Sequence, residues 1–164
     1  MKMRLLIQIP GMTLAVLLTL LIGSVRADDS KLEGTWDVTL KWPKATCDRT
    51  ACNCPGGVPN IPITTLNTFL KGGGMVWSTN VLFVGPGQGQ WQSLGHNDFM
   101  DHFKFWIFDL STGFPIRYED VTQDIHLTSR DTYKGTMTYD LFDAAGNILA
   151  RECSVNIDSA TRFE

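Results

Sequence analysis

Apolar and polar side chains alternate along most of this chain, and the alternation is cut at short intervals by glycine, proline, asparagine and aspartate. From Leu32 to Trp42, Trp36, Val38 and Leu40 fall on one side and Asp37, Thr39 and Lys41 on the other. A period of two is that of a strand with one buried face. Pro43 ends it. Further strands are predicted at Ile63–Leu70, Met75–Val84, Gln88–Leu94, Asp98–Leu110, Pro115–Thr128, Tyr133–Phe142 and Ile148–Ile157. Their separators, such as Lys71-Gly72-Gly73-Gly74, Gly85-Pro86-Gly87 and Asp143-Ala144-Ala145-Gly146-Asn147, are turn-forming. No segment sustains a helical period.

Eight strands in sequential order with short turns fit an all-β, antiparallel up-and-down barrel, because closure removes both exposed edges. A two-sheet sandwich is the competing arrangement. Eight strands leave an interior that side chains fill or that holds one small molecule. The stretch Gly34-Thr35-Trp36 starts the first strand. There Gly lets the backbone enter the sheet tightly, and Trp plugs one end of the enclosed core.

The 164 residues do not all belong to the barrel. Lys2 and Arg4 precede an apolar run from Leu14 to Ile22, and Val25-Arg26-Ala27 offers a small-x-small cleavage site. This is the layout of a secretory signal over residues 1–27, leaving a mature domain over 28–164. A retained anchor is the alternative, against which Gln8 and Pro10 interrupt the apolar stretch. Cleavage removes three basic side chains and no acidic ones, leaving 11 basic against 17 acidic, a net charge of −6. Such a domain is a poor partner for nucleic acid or anionic lipid. A secreted or periplasmic location follows, with no membrane association once the signal is gone.

Export changes the reading of Cys47, Cys52, Cys54 and Cys153, an even set that favours disulfides. Cys52 and Cys54 are too close to pair comfortably, so one loop cysteine is expected to reach Cys153 while the other two close a small loop. The spacing matches no paired C-x-x-C knuckle, so no metal is expected. The segment Pro43–Pro62 carries three of these cysteines and four of the seven prolines. It reads as a long stapled loop, placed to act as a lid.

Extending the alternation inward brings candidate chemistry. Tyr133, Met137, Tyr139 and Leu141 share one face of their strand, and Phe99, Asp101, Phe103, Phe105 and Ile107 the more apolar face of theirs. Arg117, Glu119, Val121, Gln123 and Ile125 do the same on the strand between. Phe103, Phe105, Met137, Tyr133 and Tyr139 are therefore the predicted walls of a pocket. Asp101, Arg117 and Glu119 are its predicted polar groups, unless Arg117 and Glu119 are solvated or paired at the barrel mouth. A carboxylate held there has its pKa raised by desolvation or lowered by Arg117, and either suits acid–base work. A single bulge would turn all three outward. His96, His102 and His126 fall in a turn or on polar faces and read as surface residues. No nucleophile elbow, P-loop or dinucleotide fingerprint is present, and no cofactor is implied.

Gly34-Thr35-Trp36, eight strands in meander order, and Arg162 just beyond the last strand resemble the lipocalin and wider calycin pattern. The resemblance implies a floor Trp36 covered by Arg162, a cation–π contact worth about 0.5–2 kcal/mol. Phe69-Leu70-Lys71-Gly72-Gly73, Gly85 to Trp91 and Ala160-Thr161-Arg162 are also similar to a group of small exported bacterial barrel proteins. The helix that usually follows the last strand has no counterpart, since seven residues follow Ile157. The first functional expectation is an exported barrel that binds a small, mostly apolar molecule. The second is a cofactor-free cyclase or isomerase, similar to allene oxide cyclases and some polyketide cyclases, with Asp101, Glu119 and Arg117 as its catalytic groups. The third is a protein-interaction module of the cell envelope.

Overall fold

The computed structural model describes residues 31–41 and 63–163. Strands β1 (Gly34–Lys41), β2 (Ile63–Phe69), β3 (Gly74–Thr79), β4 (Gly87–Gly95), β5 (Asp98–Phe108), β6 (Pro115–Leu127), β7 (Thr132–Asp143) and β8 (Ile148–Arg162) follow in chain order. Each pairs antiparallel with its neighbour, and β8 returns to β1, so the sheet is a closed barrel. Residues of one parity point inward: Trp36, Val38 and Leu40 on β1, Phe99 to Ile107 on β5, and Tyr133, Met137, Tyr139 and Leu141 on β7 are all buried. The candidate signal at 1–27, the segment 42–62 and Cys47, Cys52 and Cys54 lie outside the described residues.

Two strand predictions need correction. The third strand, expected to run to Val84, stops at Thr79. The Thr79 hydroxyl accepts from the Val81 N–H, and Val84 N–H donates to the Val81 carbonyl, so the chain turns. It then meets the end of β5, where Phe108 N–H donates to Phe83 O at 2.8 Å. The apolar run that looked like more strand is thus a loop packed on the core.

The last strand, expected to end at Ile157, continues to Arg162, which therefore belongs to the sheet. Its register against β7 shifts between Tyr133/Gly135, where Ala160 and Ile157 are the partners. The shift places Asp158 and Ser159 together outside while Ile157 and Ala160 both point in. That broken alternation is what made the strand seem to end. A second shift leaves Glu152 at φ 54 with its N–H on Asp140 Oδ1 at 2.9 Å. It keeps both Ala150 and Cys153 facing inward.

The end at which β1 begins is sealed. Trp36 is fully buried, donates from its indole nitrogen to Leu32 O at 2.8 Å, and meets Tyr133 edge-on at 5.0 Å. Arg162, in register with Trp36, lies over the indole at 4.3 Å. Its guanidinium also donates to the carbonyls of Glu33, Lys31 and Arg130 and pairs with Asp131 at 3.3 Å. Gly34 is required here: at φ +122 its missing Cβ would stand 2.7 Å from Arg162 Nη1. This end is the floor, and the opposite end, where β1, β3, β5 and β7 finish, is the mouth.

Candidate functional site

Above the middle of the barrel the interior is hollow. A cavity of about 340 Å³ opens toward the mouth, walled by Leu40, Trp77, Phe105, Ile107, Met137 and Val155. Its lip is formed by Val81, Phe83 and Val84 of the loop after β3. An aromatic shelf stiffens one wall, with Trp77 stacked on Phe105 at 4.5 Å and on Phe103 at 5.6 Å. Cavities of this size and lining hold small apolar ligands. A second hollow, about 610 Å³, lies under the floor between Lys31, Asn97, Ser129, Arg130 and Arg162. Six of its seven lining residues are polar, and its Arg162 is already engaged by backbone carbonyls.

Two charged-type side chains enter the apolar cavity, Arg117 and Glu119, neighbours on the inward face of β6. No ion pair joins them, and among the described residues neither makes a side-chain hydrogen bond. Desolvation by the surrounding wall pushes the Glu119 carboxyl up to about 8. At neutral pH it is therefore mostly protonated, a hydrogen-bond donor in a greasy chamber. Arg117 contributes a guanidinium to the same cavity.

Directly beneath lies a polar layer, of which alternation placed Asp101 and Gln123 inward but left Thr65 and Asn67 unread. Thr65, Asn67, Asp101 and Gln123 are all buried, with Tyr133 beside them. Thr65 donates to Asn67 Oδ1 at 3.0 Å, and Asn67 Nδ2 donates to Gln123 Oε1 at 3.2 Å and to the Tyr133 hydroxyl at 3.3 Å. Asp101 is 1% exposed, and neither carboxyl oxygen has a hydrogen-bond partner of good geometry. Burial drives it well above the ordinary carboxylate range; the Gln123 backbone opposite offsets this only in part, and Asp124 adds a little to the rise. The Tyr133 hydroxyl is also pushed up, by burial first and by Asp101 second.

The predicted site residues thus separate by depth. Phe105, Met137, Tyr139, Arg117 and Glu119 line the cavity. Phe103 supports the shelf from behind, Tyr133 packs on Trp36 at the floor, and Asp101 sits in the polar layer, so none of these three lines it. Trp77, Val155, Leu40 and the loop residues Val81, Phe83 and Val84 complete the wall. Of these, Trp77 and Leu40 followed the alternation, whereas the loop carried no periodic signal. The three histidines lie outside: His102 bonds Asp120, and His126 bonds Asp98 at 2.6 Å. Among the described residues no cluster of three or more His, Cys, Asp or Glu could hold a metal. Cys153 is fully buried on the inward face of β8, opposite Tyr139.

No protein-family model, curated protein or solved structure matches this chain. The closed eight-stranded antiparallel barrel is compatible with a calycin-like fold, and the functional reading rests on the cavity.

Proposed function

We propose that this chain is an exported barrel protein that binds one small, mostly apolar molecule in the cavity above its polar layer. Residues 1–27 would be removed as a signal, leaving a domain of 28–164 in the periplasm or outside the cell. The observation that carries the binding reading is the chamber of about 340 Å³ walled by aromatic and aliphatic side chains. The oxidising location is supported by Cys153, since no cysteine among the described residues is free. Its partner on this reading is one of Cys47, Cys52 and Cys54.

Titrating the mature chain with the neutral dye nile red tests the reading, following dye emission and the quenching of Trp77. Saturable binding at one dye per chain is expected. Val155→Phe, which fills the cavity from one wall, should weaken it at least about tenfold while the far-ultraviolet spectrum stays that of a folded barrel. Absence of saturable binding by the folded wild type would overturn the proposal.

One observation favours a second reading. A carboxyl group at about 8 inside an apolar chamber is suited to general acid catalysis near neutral pH. A cofactor-free cyclase or isomerase would use Glu119 in that role, with the walls folding a flexible substrate. Under it, Glu119→Gln removes turnover of the substrate while nile red affinity persists.

A further inference from the structure

Several charges on the outside of the barrel are paired: His102 and Lys104 with Asp120, His126 with Asp98, and Arg162 with Asp131. Inside the cavity stand two that are not. Arg117 and Glu119 share the inward face of β6 two residues apart, both border the empty volume, and among the described residues neither has an ion-pair or side-chain hydrogen-bond partner. Both are half-buried, so a guanidinium and a carboxyl held against an apolar wall gain when something brought into the cavity supplies the partners the protein does not.

We infer that the cavity takes an amphiphile bearing a carboxylate, received by Arg117 and by the carboxyl group of Glu119, with its apolar part against Trp77, Phe105 and Met137. This deepens the small-molecule reading above and rests on it. The chemistry of the two groups selects the head. With Glu119 protonated at neutral pH, both present donors and the pair carries a positive charge. A carboxylate is an acceptor with two oxygens and one negative charge, enough for a guanidinium N–H and a carboxyl O–H together. A phosphate monoester brings close to two charges and would leave one uncompensated in the apolar chamber. An amine would meet the Arg117 cation with no ionised partner. A plain hydrocarbon would leave both groups unsatisfied.

The same geometry gives the pH response. Phe105 on β5 and Leu141 on β7 stand directly opposite Glu119. The titratable groups on the elements around it are Arg117 on β6, Tyr139 and Asp143 on β7, and Asp101 deeper on β5. None contributes to its shift, which comes from desolvation alone. Raising the pH through about 8 therefore converts the Glu119 donor into a second anion beside the bound carboxylate, and affinity falls.

The test uses three probes of one chain length, dodecanoate, dodecanol and dodecylamine, titrated into the mature protein by calorimetry and tryptophan fluorescence. Dodecanoate should bind at least about tenfold tighter than dodecanol at neutral pH, and dodecylamine should bind most weakly. Arg117→Met should bring dodecanoate down to the level of dodecanol and leave dodecanol unchanged. Above about pH 8 the wild-type affinity for dodecanoate should drop by about tenfold per unit, and Glu119→Gln should flatten that profile. Equal affinity for dodecanoate and dodecanol, preference for the amine, or equal loss of both probes in Arg117→Met would overturn the head-group assignment while leaving the cavity reading intact. Failure of all three probes to bind a folded wild type would overturn the cavity reading itself.

Discussion

Replacing Asp101 by Asn should make the protein more stable at neutral pH, and the gain should grow with pH. In the folded barrel the carboxyl is 1% exposed, with no hydrogen bond of good geometry to either oxygen. Desolvation holds it well above the value of 3.8 that it has in an unfolded chain. The sign follows directly. Below about 3.8 both states are protonated and Asp101 costs nothing through ionisation. As pH rises, the unfolded state releases the proton and the folded state keeps it, so unfolding is favoured. The slope is about 1.4 kcal/mol per pH unit until the folded carboxyl ionises as well. Asn has nearly the same shape and cannot ionise. Any unsatisfied hydrogen-bonding cost it carries is independent of pH and shifts its curve by a constant.

The assay is urea unfolding of wild type and Asp101→Asn, followed by tryptophan fluorescence at several values between about pH 4 and pH 8. The difference in unfolding free energy, variant minus wild type, should climb with pH at up to about 1.4 kcal/mol per unit. Glu119, also raised, contributes equally to both proteins and cancels in the difference. Curves that stay parallel from pH 4 upward would mean that Asp101 ionises as easily folded as unfolded. The desolvated polar layer would then be wrong.

Other perturbations probe the frame. Arg162→Ala removes the cover over Trp36 and three hydrogen bonds to carbonyls, and should cost about 2–4 kcal/mol in urea unfolding. Arg162→Lys should recover only part, because an ammonium cannot reproduce the planar fork. Gly89→Ala would drive a Cβ to 2.0 Å from the His102 carbonyl in the neighbouring strand, so the variant should lose about 3 kcal/mol or more or fail to fold, whereas exposed Gln90→Ala should be nearly neutral. Peptide mapping of the unreduced exported protein should recover Cys153 joined to a peptide containing Cys47, Cys52 or Cys54, and reduction should lower the melting temperature.

The barrel was legible because its information is local. Alternation on β1, β5 and β7 marks the inward face residue by residue, and turn-forming clusters mark where each strand stops. Two features defeated that reasoning for one physical cause: backbone irregularity carries no period. The bulge that seats Ile157 and Ala160 on the same side hid the last five residues of β8. The turn at Thr79–Val84 hid a piece of cavity wall inside an apolar run. Parity placed Asp101, Arg117 and Glu119 inward but could not give their depth, because depth along the axis depends on strand stagger across the whole ring. Asn67 and Thr65 were unread for a related reason. Polar residues on an inward face are visible as a cluster only once β2, β5, β6 and β7 are brought into register.

On the proposed binding reading, the order of layers along the barrel axis would decide which end of a guest goes in first. Trp77 on the cavity wall is the cross-strand partner of Asn67, and Met137 of Gln123, so the apolar chamber ends where the polar layer begins. Pushing hydrocarbon past that boundary would leave Asp101 and the Gln123 amide against methylene groups without gaining any hydrogen bond, while the floor beyond is filled by Trp36 and Tyr133. The apolar end of a ligand is therefore stopped at Trp77 and Met137, and its head must lie at the other end of the chamber. Arg117, opposite Asp143 at the end of β7, stands nearer the mouth than Glu119, opposite Leu141. A tail-first ligand accordingly places its polar group at Glu119 and Arg117, and a ligand too short to span from shelf to mouth satisfies one end or the other but not both.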